Sequence, residues 1–481
     1  MIRKIFPLFA CLLCALPGRA QPPRQPDFVR ERGPLVAIEH VTVIDGTGAA
    51  PRAGQTLLID HDRIAAIGAD GTVRLPEGTR AIDGTGKTVI PGLVGMHEHM
   101  FRPASIDGPF IANEMFVTFP QLYLASGVTT ARTGGSTDPY GDLGIRREIE
   151  AGRMVGPDLD LTTPYLEGAP PAIPQLYPLR DPEDARALVR YWASLGFTSA
   201  KAYMNISPAE LAAAIDEAHR HNMKITGHIC SVGYEEAARL GIDNLEHGPF
   251  GAPDGELDAE RAPGLCAHGP GQSAGPVIRN IVQNVAPDSP EVTRMIRTLV
   301  EHHVAITSTL AVFEGGDRPN LEATPHLREL LHPAVWEWEV SRHAAQAPAA
   351  AFLDLRLRKE MAFERTFVAA GGLLMAGADP TGDGHVIAGL GDQRNIELLH
   401  EAGFSVAEAI RIATLNGATY LGIANETGSL EAGKRADLVL LDGDLASDIT
   451  AITRPIIVFK HGLGYDSQAI YASLAGQVGL H

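Results

Sequence analysis

The sequence predicts an α/β protein: a (β/α)8 (TIM) barrel with a small β-sandwich domain built from both chain ends. Three observations carry that prediction. Short alternating apolar runs cluster near both ends of the chain. The middle alternates strand-like runs with amphipathic helices, and eight such runs follow one another there. A chain of 481 residues is long enough to bury one large core and a smaller companion.

Residues 1–20 read as a cleavable export signal. Arg3 and Lys4 precede the apolar "IFPLFACLLCAL", and Gly18 and Ala20 are the small residues at the cleavage position. The apolar run is too short to span a bilayer, and no later segment is long enough. "LFAC" is a poor lipoprotein box, because Phe9 is bulky. The expected mature protein starts near Gln21 and is periplasmic or secreted, without a membrane span.

Residues 21–34, "QPPRQPDFVRERGP", read as a linker. "LVAIEHVTVID", "QTLLID", "RIAAIG" and "RAIDG" follow, separated by turn residues. "GSLEAGKRADLVLLDGD" and "PIIVFKHG" repeat that texture near the end, so residues 35–90 and 426–481 are assigned to the β-sandwich domain. Residues 91–425 are assigned to the barrel. Its strands are "VIPGLVGMH", "GVTTARTGG", "DLDLTTPYL", "FTSAKAY", "MKITGHI", "IDNLEHG", "VAITSTL" and "GGLLMAGAD". Ser207 with Pro208 and Glu210, and Ser405 with Glu408, mark helix starts as capping boxes.

The formal charge of −18 becomes more negative once Arg3, Lys4 and Arg19 leave with the signal. So acidic a chain excludes a nucleic-acid partner, which needs a basic face. Only Cys230 and Cys266 follow the signal, so the protein is no disulfide scaffold. The two either pair, pinning the Gly/Pro-rich segment after His247 as a lid, or stand as free thiols.

A barrel enzyme builds its site on the C-terminal ends of its strands. Reading those ends in order gives His97 and His99, then Lys201, His228, His247 and Asp379. On an extended strand, residues i and i+2 share a face, so the imidazoles of His97 and His99 converge. Imidazole and carboxylate suit zinc and similar divalent ions, with a coordination position left for water. His219/His221 and His302/His303 read instead as helix-surface residues.

"PGLVGMHEH", "SAKAY", "KITGH", "NLEHG" and "GADPT", with the tail "AIRIATLNGATYLGI", resemble the metal-dependent amidohydrolase superfamily over roughly residues 35 to 465. The branch is that of imidazolonepropionase-like proteins and Xaa-Pro or Xaa-Arg dipeptidases. The resemblance implies two divalent metal ions, expected to be zinc. His97, His99 and Asp379 would hold one, His228 and His247 the other, and a carboxylated Lys201 would bridge them. It implies attack by a metal-bridging hydroxide with Asp379 as proton shuttle, on the C–N amide bond of a dipeptide or N-acyl amino acid. A cyclic amidase, imidazolone-type hydrolase or lactonase on the same scaffold is the alternative, and a non-catalytic binding protein the more distant one. Candidate substrate contacts are Tyr203, Tyr234, His385 and Arg132. Tyr234 sits where some dipeptidase relatives hold a substrate carbonyl or carboxylate. The partner expected is a small amide or peptide, and homo-oligomerisation stays open.

Overall fold

The computed structural model describes residues 27–103, 112–252, 254, 257, 275–381 and 385–479. The residues read as an export signal, Cys266 and most of the segment read as a lid lie outside the described residues. Alternation in the N-terminal runs forms strands Leu35–Val43, Arg52–Asp60, Arg63–Ala69 and Arg80–Asp83. From the far end come Leu438–Leu441, Pro455–Lys460 and Leu463–Asp466. All join one nine-stranded sheet. Leu438–Leu441 runs antiparallel to Thr88–Pro91 and so ties the two ends together. Val36, Ile38, Leu57 and Ile59 pack with Leu438, Leu440, Ile457 and Phe459 beneath it.

Two boundaries differ from the expected ones. Val29–Glu31, within the stretch read as linker, adds an edge strand paired with Leu463–Asp466. Its buried Glu31 accepts from Arg80 Nε at 2.8 Å, which fixes the strand in place. At the other end, helix Ser467–Ser473 leaves the sheet and packs Ile470 and Tyr471 into the large core around the parallel strands.

"VIPGLVGMH" is two strands rather than one. Thr88–Pro91 belongs to the mixed sheet and Leu93–Glu98 to a parallel one. Gly92 lies between them, where a Cβ would collide with Thr129. Leu93–Glu98, Val128–Thr133 and Asp158–Asp160 form one parallel sheet. Thr162–Leu166, Ser199–Ala202, Lys224–Gly227, Asn244–Glu246, Ala305–Ser308 and Leu374–Ala376 form the second.

Hydrogen bonds link the two sheets at two places. Thr162 N donates to Thr133 Oγ1 at 2.8 Å on one side. Asp379 N donates to the carbonyl of His97 at 2.8 Å on the other. Since the strands are parallel, their C-terminal ends gather on one side. Both capping boxes form, at Ser207 and Ser405. Among the described residues no helix is long and apolar enough to cross a membrane.

Several carboxyl groups outside the ligand set are buried in this core. Burial pushes Asp142, Glu167 and Glu360 up to about 7. An acid with a raised folded pKa is most stabilising below its unfolded pKa of ~4, and that contribution is lost as pH rises toward the folded value. The contribution of these three acids to stability therefore falls between about pH 4 and pH 7. Glu360→Gln removes one titrating group, so its Tm-versus-pH slope over that range should be less negative than wild type. Parallel slopes would show that Glu360 stays ionised in the fold.

Candidate metal centre

The C-terminal ends of the parallel strands carry all six side chains singled out as ligands. His97 lies near the end of Leu93–Glu98, with His99 just beyond. Lys201 is in Ser199–Ala202, while His228 and His247 directly follow Lys224–Gly227 and Asn244–Glu246. Asp379 stands three residues past Leu374–Ala376. His247 and Asp379 have left-handed backbones, with φ of 64° and 48°. That conformation costs a non-glycine residue ~1–2 kcal/mol. It turns both side chains toward the common centre.

His97, His99 and Asp379 each offer a ligand atom within 4.8 Å of the others. Asp379 Oδ1 lies 3.3 Å from His99 Nε2 and 3.6 Å from His97 Nε2, and its Oδ2 lies 3.7 Å from His247 Nε2. His228 Nδ1 is 3.1 Å from His247 Nε2. The outward ring nitrogens have partners of their own. His97 Nδ1 meets Glu246 Oε2 at 2.9 Å, His99 Nδ1 meets the Gly135 carbonyl at 3.1 Å, and His247 Nδ1 meets Thr309 Oγ1. Donation outward fixes the tautomer and leaves the Nε2 lone pair facing inward, as a metal-binding histidine requires. Burial pushes His99 down, His228 down to about 3 and His247 well down, so these rings are neutral near pH 7. Burial alone would raise Asp379. The rings of His97, His99 and His247 around it outweigh burial and keep the group a carboxylate.

Lys201 is fully buried, and its Nζ makes no hydrogen bond among the described residues. The nearest acid is Glu246 Oε1 at 3.7 Å. Burial lowers its pKa to about 8, against the pull of Glu246 and Asp379. An orphaned amine, three inward imidazole nitrogens and an ionised carboxylate fit a cation-binding site.

Below the ligands lies a residue that the sequence reading passed over. Glu246 Oε1 accepts from Arg132 Nη2 at 2.7 Å and from Thr226 Oγ1, while its Oε2 orients His97. Arg132, Lys201 and His97 overcome the effect of burial and hold its carboxyl well below the usual range. Glu246 stood inside the quoted "NLEHG", and its signal was position: the strand residue immediately before a ligand histidine.

The proposed substrate contacts divide. Tyr203 lines the cavity of about 430 Å³ that opens over the ligands, together with Phe101, Tyr165, Phe313 and Arg356. Arg132, Tyr234 and His385 are not on its described wall. Arg132 is buried beneath the site, held by Glu246, Asn244 and the Met96 carbonyl, so it serves protein groups instead of substrate or rim. Tyr234 is buried at a helix start, and its hydroxyl bonds to none of the described residues. His385 is buried against Glu339 and His343. Cys230 is buried and disulfide-bonded, which excludes a free thiol there. The paired residues of the two histidine doublets are exposed, as read.

This fold and these strand-end side chains define a hydrolase of carbon–nitrogen bonds. The chain belongs to the Amidohydrolase family, whose pattern matches residues 88–463. It is 26% identical to an imidazolonepropionase from Micrococcus luteus over 89% of this chain and 97% of that protein. A Xaa-Pro dipeptidase with bound methionine matches with a TM-score of 0.66 and 20% identity, over 90% of this chain and 100% of the other. A putative prolidase from Bifidobacterium longum matches at 0.64 and 24%, over 92% and 98%. At these identities the two structures establish likeness of fold.

Proposed function

We propose that the chain is an exported, binuclear metal-dependent amidohydrolase cleaving the amide bond of a dipeptide or N-acyl amino acid. The observation that carries this reading is the set of inward Nε2 atoms of His97, His99 and His247 around an ionised Asp379 and a buried Lys201 whose Nζ makes no hydrogen bond among the described residues. His97, His99 and Asp379 would hold one ion, His228 and His247 the second, and Lys201, carboxylated on its neutral amine, would join the two. Bound there, divalent ions, zinc being the expected one, would polarise the scissile carbonyl and activate water. Asp379 accepts the proton of the attacking water and returns it to the leaving nitrogen. The half-buried Tyr203 borders the substrate beside His228, with ring centroids 5.5 Å apart.

The same reading has the parallel strands closing into an eight-stranded barrel and the nine-stranded sheet folding over as a sandwich. It takes residues 1–20 as a signal removed on export. N-terminal sequencing of periplasmic protein should begin near Gln21; an intact Met1 would refute export by cleavage.

Screening dipeptides, N-acyl amino acids and cyclic amides for amine release tests the substrate class. Turnover of the open-chain amides is expected. Turnover confined to cyclic amides or lactones would favour the second reading, which the imidazolonepropionase likeness supports.

A further inference from the structure

Asp379 stands three residues past its strand, farther out than the other five ligands, so its place depends on where the chain goes next. Six residues on, the chain is pinned. His385 is buried, and its Nδ1 lies 2.6 Å from Glu339 Oε2 on helix Pro333–Gln346. Asp379 and His385 both have left-handed backbones, with φ of 48° and 61°. A non-glycine residue keeps such a conformation only where its surroundings hold it.

The same carboxylate holds the chain that follows His99. Buried Arg102 donates from Nη2 to Glu339 Oε1. Arg102 is the middle residue of strand Phe101–Pro103, and the neighbouring Phe101 ring packs 4.6 Å from that of His99. Arg342, on the helix of Glu339 itself, adds a hydrogen bond to Oε2 at 3.0 Å. One buried carboxylate thus joins the segments that leave His99 and Asp379. His228 and His247 are held differently, by each other and by Thr309.

We propose that Glu339 is a positioning residue for one metal ion: it clamps the chain beyond His99 and beyond Asp379, and so presets the site formed by His97, His99 and Asp379. The inference rests on the two-metal reading above and deepens it. Glutamine at this position cannot balance the buried Arg102 charge, and it accepts more weakly from the donors around it. Both ligand segments then loosen together, while the His228–His247 side keeps its own partners.

The test uses zinc-loaded full-length protein, dialysed against zinc buffers of decreasing free concentration, with bound zinc per chain measured at each step. Hydrogen exchange is followed on the same samples by mass spectrometry. In Glu339→Gln one ion should leave at a free zinc concentration about 10- to 100-fold higher than in wild type, and the other at an unchanged one. Exchange should quicken over residues 99–103 and 385–389 and match wild type over Lys224–Gly227. A fold that is merely loosened would lose both ions together and exchange faster throughout. The paired replacement Arg102→Met with Glu339→Met leaves no Arg102 charge stranded, which guards against a variant that fails to fold, and it should show the same selective loss. Retention of both ions as in wild type, or equal loss of both, would overturn the inference. A single ion in wild type would end the two-metal reading by itself. The clamp then stands if Glu339→Gln weakens that ion and quickens exchange over 99–103 and 385–389 alone, and falls if it does neither.

Discussion

Asp379→Asn should fold like the parent and hydrolyse its amide substrate about 10⁴-fold more slowly. The substitution keeps the volume of the side chain and removes its charge. Its oxygens lie within 3.3 to 3.7 Å of ring nitrogens of His97, His99 and His247. Asparagine offers one neutral oxygen where the carboxylate offers two, and it accepts no proton at neutral pH. Ligation and proton transfer are lost together, so kcat falls and does not recover at high substrate. Steady-state kinetics with circular dichroism on the same sample checks this. Near-wild-type kcat in a folded Asp379→Asn protein would remove Asp379 from the chemistry.

The second large effect is on stability. Glu246→Gln should destabilise the protein by about 3–5 kcal/mol, because it strands the buried Arg132 charge. It should also weaken metal retention about 10- to 100-fold, because it loosens the orientation of His97. Glu246 touches Arg132, Thr226 and His97 at once. Its carboxyl is held well below the usual range, so the stabilisation is present above the unfolded carboxylate pKa of ~4 and is lost only in stronger acid. The deficit of Glu246→Gln should therefore persist unchanged from pH 5 to pH 8, in contrast to the sloping effect of Glu360→Gln. Thermal unfolding across that range, with metal content measured in parallel, reads both effects. Wild-type stability in Glu246→Gln would mean that Arg132 is satisfied by Asn244 and the Met96 carbonyl alone.

The strands were legible because each buries a short apolar run, and the helix starts because Ser207 and Ser405 cap in the local chain. Break points set by tertiary contact were not. Gly92 stands between two strands of different sheets, against Thr129, which leaves no room for a side chain. Val29–Glu31 is a strand only because Leu463–Asp466 lies beside it. The same division holds at the site. Strand-end position pointed to the six ligand candidates, which reach the centre from five strands. Arg132 and Glu246 are buried beneath the ligands as a pair from separate strands, and neither shows its partner in sequence. His385 follows Asp379 by six residues, yet its partners Glu339 and His343 come from helix Pro333–Gln346. Phe313 and Arg356 reach the cavity from segments with no motif at all.

The central claim is that Lys201 completes a two-metal centre. Elemental analysis of protein purified without chelator, beside a Lys201→Ala variant, tests it most directly. About two ions per chain are expected in wild type, with a clear loss in the variant. One ion in both proteins would show that Lys201 holds no metal, and that the reaction proceeds around a single site.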